Sequence, residues 1–208
     1  MTEYRDSSNK LLTDYPRPSV AVDTAVLTVK DGALCVALVQ NNDGWRLPGT
    51  FLHEHETLAQ AVLRSLHDKA GIEGVRPRQL HVFDALNRDD RGWVISVAHY
   101  VVVPAASVSE GELTPVSQVH DLVYDHNTII ELAVRTLRAS YLADPDPERL
   151  LGPQFTLLEL LRLHSAIAGE PLGKDTFRRR VLGQLIETDA YKPGLVGKPA
   201  KLFRHAEP

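Results

Sequence analysis

The chain of 208 residues holds one cysteine, Cys35. That excludes an internal disulfide framework and a cysteine-built metal cage. No apolar run approaches the ~18 residues needed to cross a bilayer, so no membrane partner is expected. Residues 1–6 are polar, which argues against a signal peptide and makes a cytoplasmic address the expectation. There is no internal repeat and no low-complexity tract. The nine histidines do not make good the missing cysteines. His53 and His55 stand two apart, His81 and His99 fall in strand-like segments, and none sits in a ligand cluster. Neither a metal nor a cofactor is therefore expected.

What is present is ordinary in bulk and uneven in distribution. Apolar residues make up 43% and charged residues 24%, the composition of a globular protein large enough for one or two domains. The net charge of −4 hides an asymmetry: residues 1–150 carry 14 basic against 21 acidic side chains, and residues 151–208 carry 9 against 6. An acidic body with a basic tail piece points to two tasks, the second with an anionic partner.

Residues 1–17 read as a loosely ordered lead-in. Val20 to Val29 and Ala33 to Val39 are apolar runs around Asp31-Gly32, the signature of a hairpin. Cys35 falls within the second run as a buried thiol. Leu58, Ala61, Val62 and Leu66 have helical spacing over residues 57–69, with Gly71 as the stop. Strands are expected over residues 80–83 and 93–103, with a charged loop between them, and a long helix over 127–142. Asp144-Pro145-Asp146-Pro147 ends that helix and divides residues 18–146 from 147–208. In the second part Thr156 and Glu159 form a capping box for a helix to residue 168, which Gly169 ends. A further helix is expected over 174–185, and strand-like segments at 186–188 and 200–204 flank a loop with Gly194 and Gly197. Helix, turn, helix and flap is the layout of a winged helix.

Leu47-Pro48-Gly49 and the stretch Thr50 to Ile72 resemble the Nudix box, G-x5-E-x7-R-E-U-x-E-E-x-G-U, in which U is a bulky aliphatic residue. Glu56, Arg64, Leu66, Gly71 and Ile72 match it; Thr50 stands at the opening glycine, and Ser65, Asp68 and Lys69 stand at the three carboxylates. Those carboxylates, spaced i, i+3, i+4, share one helix face and bind a hard divalent cation in active members. With one carboxylate left and an ammonium beside it, no productive metal centre is expected. An active enzyme would need other ligands, such as Glu54, Asp84 or Glu112. Glu56 and Arg64 retain the family's ion pair between loop and helix.

In the second part, Phe177, Val181 and Leu185 recur at i, i+4, i+8 and should pack, leaving Arg178 and Arg179 facing outward, as a recognition helix requires. The candidate DNA contacts are Thr156, Lys174, Thr176, Arg178, Arg179, Lys192, Lys198 and Lys201. Together with the segments 17–23 and 197–204, the pattern resembles the Nudix-related transcriptional regulators, abbreviated NrtR, over residues 16–205. The resemblance implies an α+β chain: an N-terminal Nudix-like α/β/α sandwich followed by a C-terminal winged-helix domain. It further implies a homodimeric repressor of NAD metabolism genes, bound to a palindromic double-stranded operator and sensing ADP-ribose or a related nucleotide in a catalytically inactive pocket. Candidate effector contacts are Arg46, Phe51, Glu56, Phe83, Arg88 and Arg91, with Phe83 or Trp93 as adenine stackers. The alternatives are an active Nudix hydrolase with a basic accessory domain, a sugar-responsive regulator of the same architecture, or a non-catalytic module binding RNA or protein.

Overall fold

The computed structural model describes residues 4–193 and 199–206. Lys198, Gly194 and Gly197, named above for the flap, lie outside them. The hairpin forms where the apolar runs meet: β1 (Ser19–Lys30) pairs antiparallel with β2 (Ala33–Asn41). Asp31 and Gly32 both adopt positive φ, 50° and 78°, which a two-residue turn matching strand twist requires. β3 (Gly44–Arg46) continues from β2, and β4 (Gly49–Phe51) folds back on β1. Gly49 is needed there because a Cβ would collide with the Asp23 carboxylate and the Val22 carbonyl.

α1 (Leu58–Ala70) starts at Thr57, whose hydroxyl accepts from the Gln60 amide, and stops at Gly71 in the left-handed conformation. β5 (Arg78–Phe83) pairs with β6 (Val94–Val102), and β6 runs parallel to β1 at the sheet centre. β7 (Glu112–Pro115) borders β2. α2 (His126–Ala143) follows. Strand alternation sorts side chains to two faces. Val22, Val26, Ala37 and Val101 pack on Ala61, Val62 and Leu66 of α1. Ala25, Leu27, Val36 and Tyr100 pack on Ile129, Ala133 and Leu137 of α2. The result is the expected α/β/α sandwich around a mixed sheet.

The C-terminal part holds β8 (Phe155–Thr156), α3 (Leu157–Ala168), α4 (Lys174–Val181), β9 (Leu185–Lys192) and β10 (Ala200–His205). Three details differ from expectation. α4 ends four residues earlier than periodicity suggests, because Leu185 is extended and pairs with His205. Phe155 and Thr156 form a short strand on β10, which anchors the flap to the start of α3. Finally, α3 is buried on two sides. Leu160 joins Phe155, Phe177, Val181 and Phe203 in the winged-helix core, whereas Leu163 and Ile167 enter the core of the sandwich. The Asp144–Pro147 stretch is thus spanned by a shared helix and does not act as a loose tether. Asp146 is fully buried; it accepts from the Tyr141 hydroxyl at 2.8 Å and from the Leu150 and Leu151 amides.

Candidate functional site

A cleft of about 190 Å³ opens at one end of the sheet, walled by Asp23, Arg46, Gly49, Thr50, Phe51, Lys69, Arg88, Asp89, Arg91, Tyr124 and His126 among others. A second groove of about 650 Å³ shares Arg88, Arg91 and Tyr124 as walls. Four predicted effector residues, Arg46, Phe51, Arg88 and Arg91, therefore meet in one place although 45 positions separate the first from the last.

The residues do different work. Arg88 is buried, its guanidinium clamped on Asp125 through bonds of 2.9 and 2.6 Å and lying 3.6 Å from Asp23. Its charge joins the β5–β6 loop to the start of α2 while the residue still lines the cleft. Burial pushes the Asp23 carboxyl up, but His126, the Ser96 hydroxyl at 2.6 Å and Arg88 outweigh it and hold the group below the usual carboxylate range. His126 Nδ1 accepts from the Leu47 amide at 2.9 Å, which leaves the proton on Nε2, 3.4 Å from Asp23. Arg91 forms a two-bond pair with Asp89 and lies 5.2 Å from the Phe51 ring and 4.7 Å from the Tyr124 ring. The Arg91 guanidinium thus lies over both rings, and all three side chains line the cleft.

Two further candidates are absent from the cleft lining, Glu56 and Phe83. Glu56 lies outside the cleft walls. Arg64 grips it with bonds of 2.8 Å to each oxygen and also donates to Thr50 and the Phe51 carbonyl. The Arg64 bond and the His53 amide pull the Glu56 carboxyl down to about 2. Through Arg64 the pair ties α1 to the backbone of Phe51. Phe83 packs against the sandwich core, edge-on to His81, because the pleat of β5 turns it inward. Trp93 is half-exposed and outside the cleft.

The degenerate box has a definite geometry. Ser65 is buried against the core side. Asp68 faces solvent and pairs with His67 at 2.9 Å. Lys69 points into the cleft, half-buried, and donates to the Gly49 carbonyl. Sequence reasoning missed Lys69, Tyr124 and His126 as cleft residues. The adjacency of Asp125 and His126 to the helix start was the available signal.

On the winged helix, Lys174, Thr176, Arg178 and Arg179 are all exposed on α4, and none of the three cations forms an ion pair among the described residues. Arg180 turns inward and donates to His164 Nδ1 at 3.1 Å. Lys192 pairs with Glu159, and Lys201 lies 3.5 Å from Glu187. Thr156 is buried and its hydroxyl is committed to the Glu159 cap, so it is a fold residue and not a surface contact.

Residues 17–141 match the NUDIX domain family and residues 147–205 match the NrtR DNA-binding winged helix domain. The chain is 32% identical over 213 residues to the ADPR responsive transcriptional repressor NtrR of Acinetobacter baylyi, covering 93% of this chain and 84% of the relative. The crystal structure of Shewanella oneidensis NrtR complexed with a 27mer DNA superposes with a TM-score of 0.73 at 31% identity, covering 90% of this chain and 93% of that one. The NUDIX domain of the same Shewanella oneidensis protein, complexed with ADP ribose, matches with a TM-score of 0.55 at 31% identity over 62% of this chain and 95% of that one. With both halves matched in order and most of each chain aligned, the protein belongs to the NrtR family, in which a Nudix domain is joined to a winged-helix DNA-binding domain.

Proposed function

We propose that this protein is a transcriptional repressor that binds a palindromic double-stranded operator as a homodimer in the cytoplasm and responds to ADP-ribose, with NAD metabolism genes as its targets. Residues 18–146 form the sensor and 147–208 the reader, preceded by a lead-in of residues 1–17. The observation that carries the reading is the exposed cationic face of α4, Lys174, Arg178 and Arg179, without ion pairs among the described residues and held outward by Phe177 and Val181 in the core. Guanidinium groups so placed can contact phosphates and base edges in a major groove. Both structurally characterised Shewanella oneidensis complexes, with DNA and with ADP ribose, support it.

The sensor is non-catalytic in this reading. A Nudix hydrolase holds a divalent cation with several carboxylates on one helix face. Here Ser65 is neutral, Asp68 faces solvent and Lys69 places an ammonium in the cleft. That donor set does not fit a hard cation, which needs converging oxygen ligands. Ligand occupancy changes DNA affinity only if the ligand binds two arrangements of the reader unequally. The path available is α2: Arg88 ties its first turn to the cleft, and Tyr141 and Asp146 tie its last turn to the linker and α3.

Fluorescence anisotropy with DNA from upstream of the protein's own gene and of NAD metabolism genes tests the reading. Tight binding at low salt that ADP-ribose reverses is expected. Absence of binding to every such fragment, or hydrolysis of ADP-ribose in Mg²⁺ above that in EDTA, would overturn the reading.

A further inference from the structure

Lys69 stands at the third carboxylate position of the Nudix box, on the last turn of α1, and its ammonium lines the inner cleft beside Arg46. Arg46 comes from the other side, from β3, and its Nε is buried with no hydrogen-bond partner. Neither cation makes an ion pair among the described residues, although Asp23 and Asp89 line the same cleft. Those two carboxylates are already committed, Asp23 to Ser96, His126 and Arg88 and Asp89 to Arg91. Four cations, Arg46, Lys69, Arg88 and Arg91, line the cleft against three carboxylates, Asp23, Asp89 and the Asp125 that holds Arg88, so one positive charge is in excess, and Lys69 and Arg46 bring theirs from separate elements. Burial, and then the nearby Arg46 guanidinium, push the Lys69 ammonium down from its usual value. An anion between them relieves that repulsion.

We propose that Lys69 and Arg46 form a metal-independent diphosphate site, in which the Lys69 ammonium supplies the positive charge that a divalent cation supplies in hydrolytic Nudix proteins. This rests on the reading of the cleft as a nucleotide sensor and specifies how the diphosphate is held. The chemistry separates binding from turnover. A fixed ammonium and a guanidinium neutralise and hydrogen-bond phosphate oxygens. Neither can lower the pKa of a bound water as a metal does, so no nucleophile is generated. The diphosphate is held and not cleaved. Phe51, Arg91 and Tyr124, which line the same cleft, remain for the nucleoside.

Isothermal titration of the full chain with ADP-ribose, and separately with inorganic pyrophosphate, in Mg²⁺ and in EDTA, provides the test. Wild-type affinity should agree within about twofold between the two buffers. Lys69→Met should weaken both ligands by about tenfold or more in both buffers, and Lys69→Arg should restore most of the loss. A wild-type far-ultraviolet dichroism spectrum and a cooperative urea transition verify the fold of Lys69→Met. Loss of wild-type binding in EDTA, or wild-type affinity in Lys69→Met, overturns the metal-independent site while leaving ADP-ribose sensing intact. Pyrophosphate binding that depends on Lys69 without any ADP-ribose binding would sustain the site and overturn the ADP-ribose reading. Binding of neither ligand overturns both.

Discussion

Arg88 shows how much one side chain holds together. Its guanidinium is 3% exposed and joins Asp125, 37 positions away, to the loop that bears Arg91. Removing it strands two carboxylates, Asp23 and Asp125, with reduced compensation. Arg88→Ala should cost about 3–5 kcal/mol in urea unfolding, the range for breaking one side of a buried pair. At the far end of α2, Tyr141 donates to the fully buried Asp146. Tyr141→Phe keeps the ring and deletes the donor, so a loss of about 1.5–3 kcal/mol is expected. It should also alter how ADP-ribose changes operator affinity, because the bond lies between sensor and reader. The Glu56–Arg64 pair was legible in the sequence because the box spacing prescribes it. The Arg88–Asp125 pair was not, because nothing local links a loop arginine to an aspartate beyond the next strand.

Among the elements, α3 departs furthest from its sequence reading. Its capping box and its glycine stop were visible, and both ends form as expected. Its two buried faces were not visible, since an apolar helix reads the same whether one or two cores receive it. His164 lies at this junction. Its Nε2 is 2.6 Å from the Pro145 carbonyl, and its ring meets Tyr141 and Phe177 edge-on. Burial pushes its pKa below the ordinary 6.5, as it does for His99 and His205. A histidine lowered in the folded state takes up protons more readily when unfolded. Its contribution to stability is therefore complete above the ordinary value and is lost as pH falls below it. Urea midpoints should fall between about pH 7 and pH 5, and His164→Gln should flatten that fall. An unchanged midpoint over this range would contradict the burial assigned to these rings.

For the whole molecule, the shared helix has a thermodynamic consequence. Because Leu163 and Ile167 belong to the sandwich core and Leu160 to the winged-helix core, the two halves should unfold in one transition. Coincident loss of far-ultraviolet dichroism and of tryptophan fluorescence, whose sources Trp45 and Trp93 both lie in the sandwich, checks this. Phe203→Ala, in the small core, should lower the single midpoint instead of splitting it, at a cost of about 3–5 kcal/mol. The uneven charge matters at this scale too. A basic excess confined to residues 151–208 is small for one chain, so operator affinity should rest on two half-sites engaged together. Arg179→Ala should lower the slope of log affinity against log salt by about one per subunit, without changing ADP-ribose affinity.

Local patterns sufficed for whatever depends on neighbours along the chain. The hairpin at Asp31-Gly32, the cap at Thr156, the stops at Gly71 and Gly169, and the outward face of α4 follow from backbone conformation and hydrophobic period, which short segments encode. The division into an acidic sandwich and a basic winged helix also follows from composition and order. The cleft did not, because its members come from five separate stretches and charge compensation is settled only where side chains meet. Packing in three dimensions paired Arg88 with Asp125 and committed the Thr156 hydroxyl to the Glu159 cap. It also sent Asp68 to solvent and placed the Lys69 ammonium opposite Arg46.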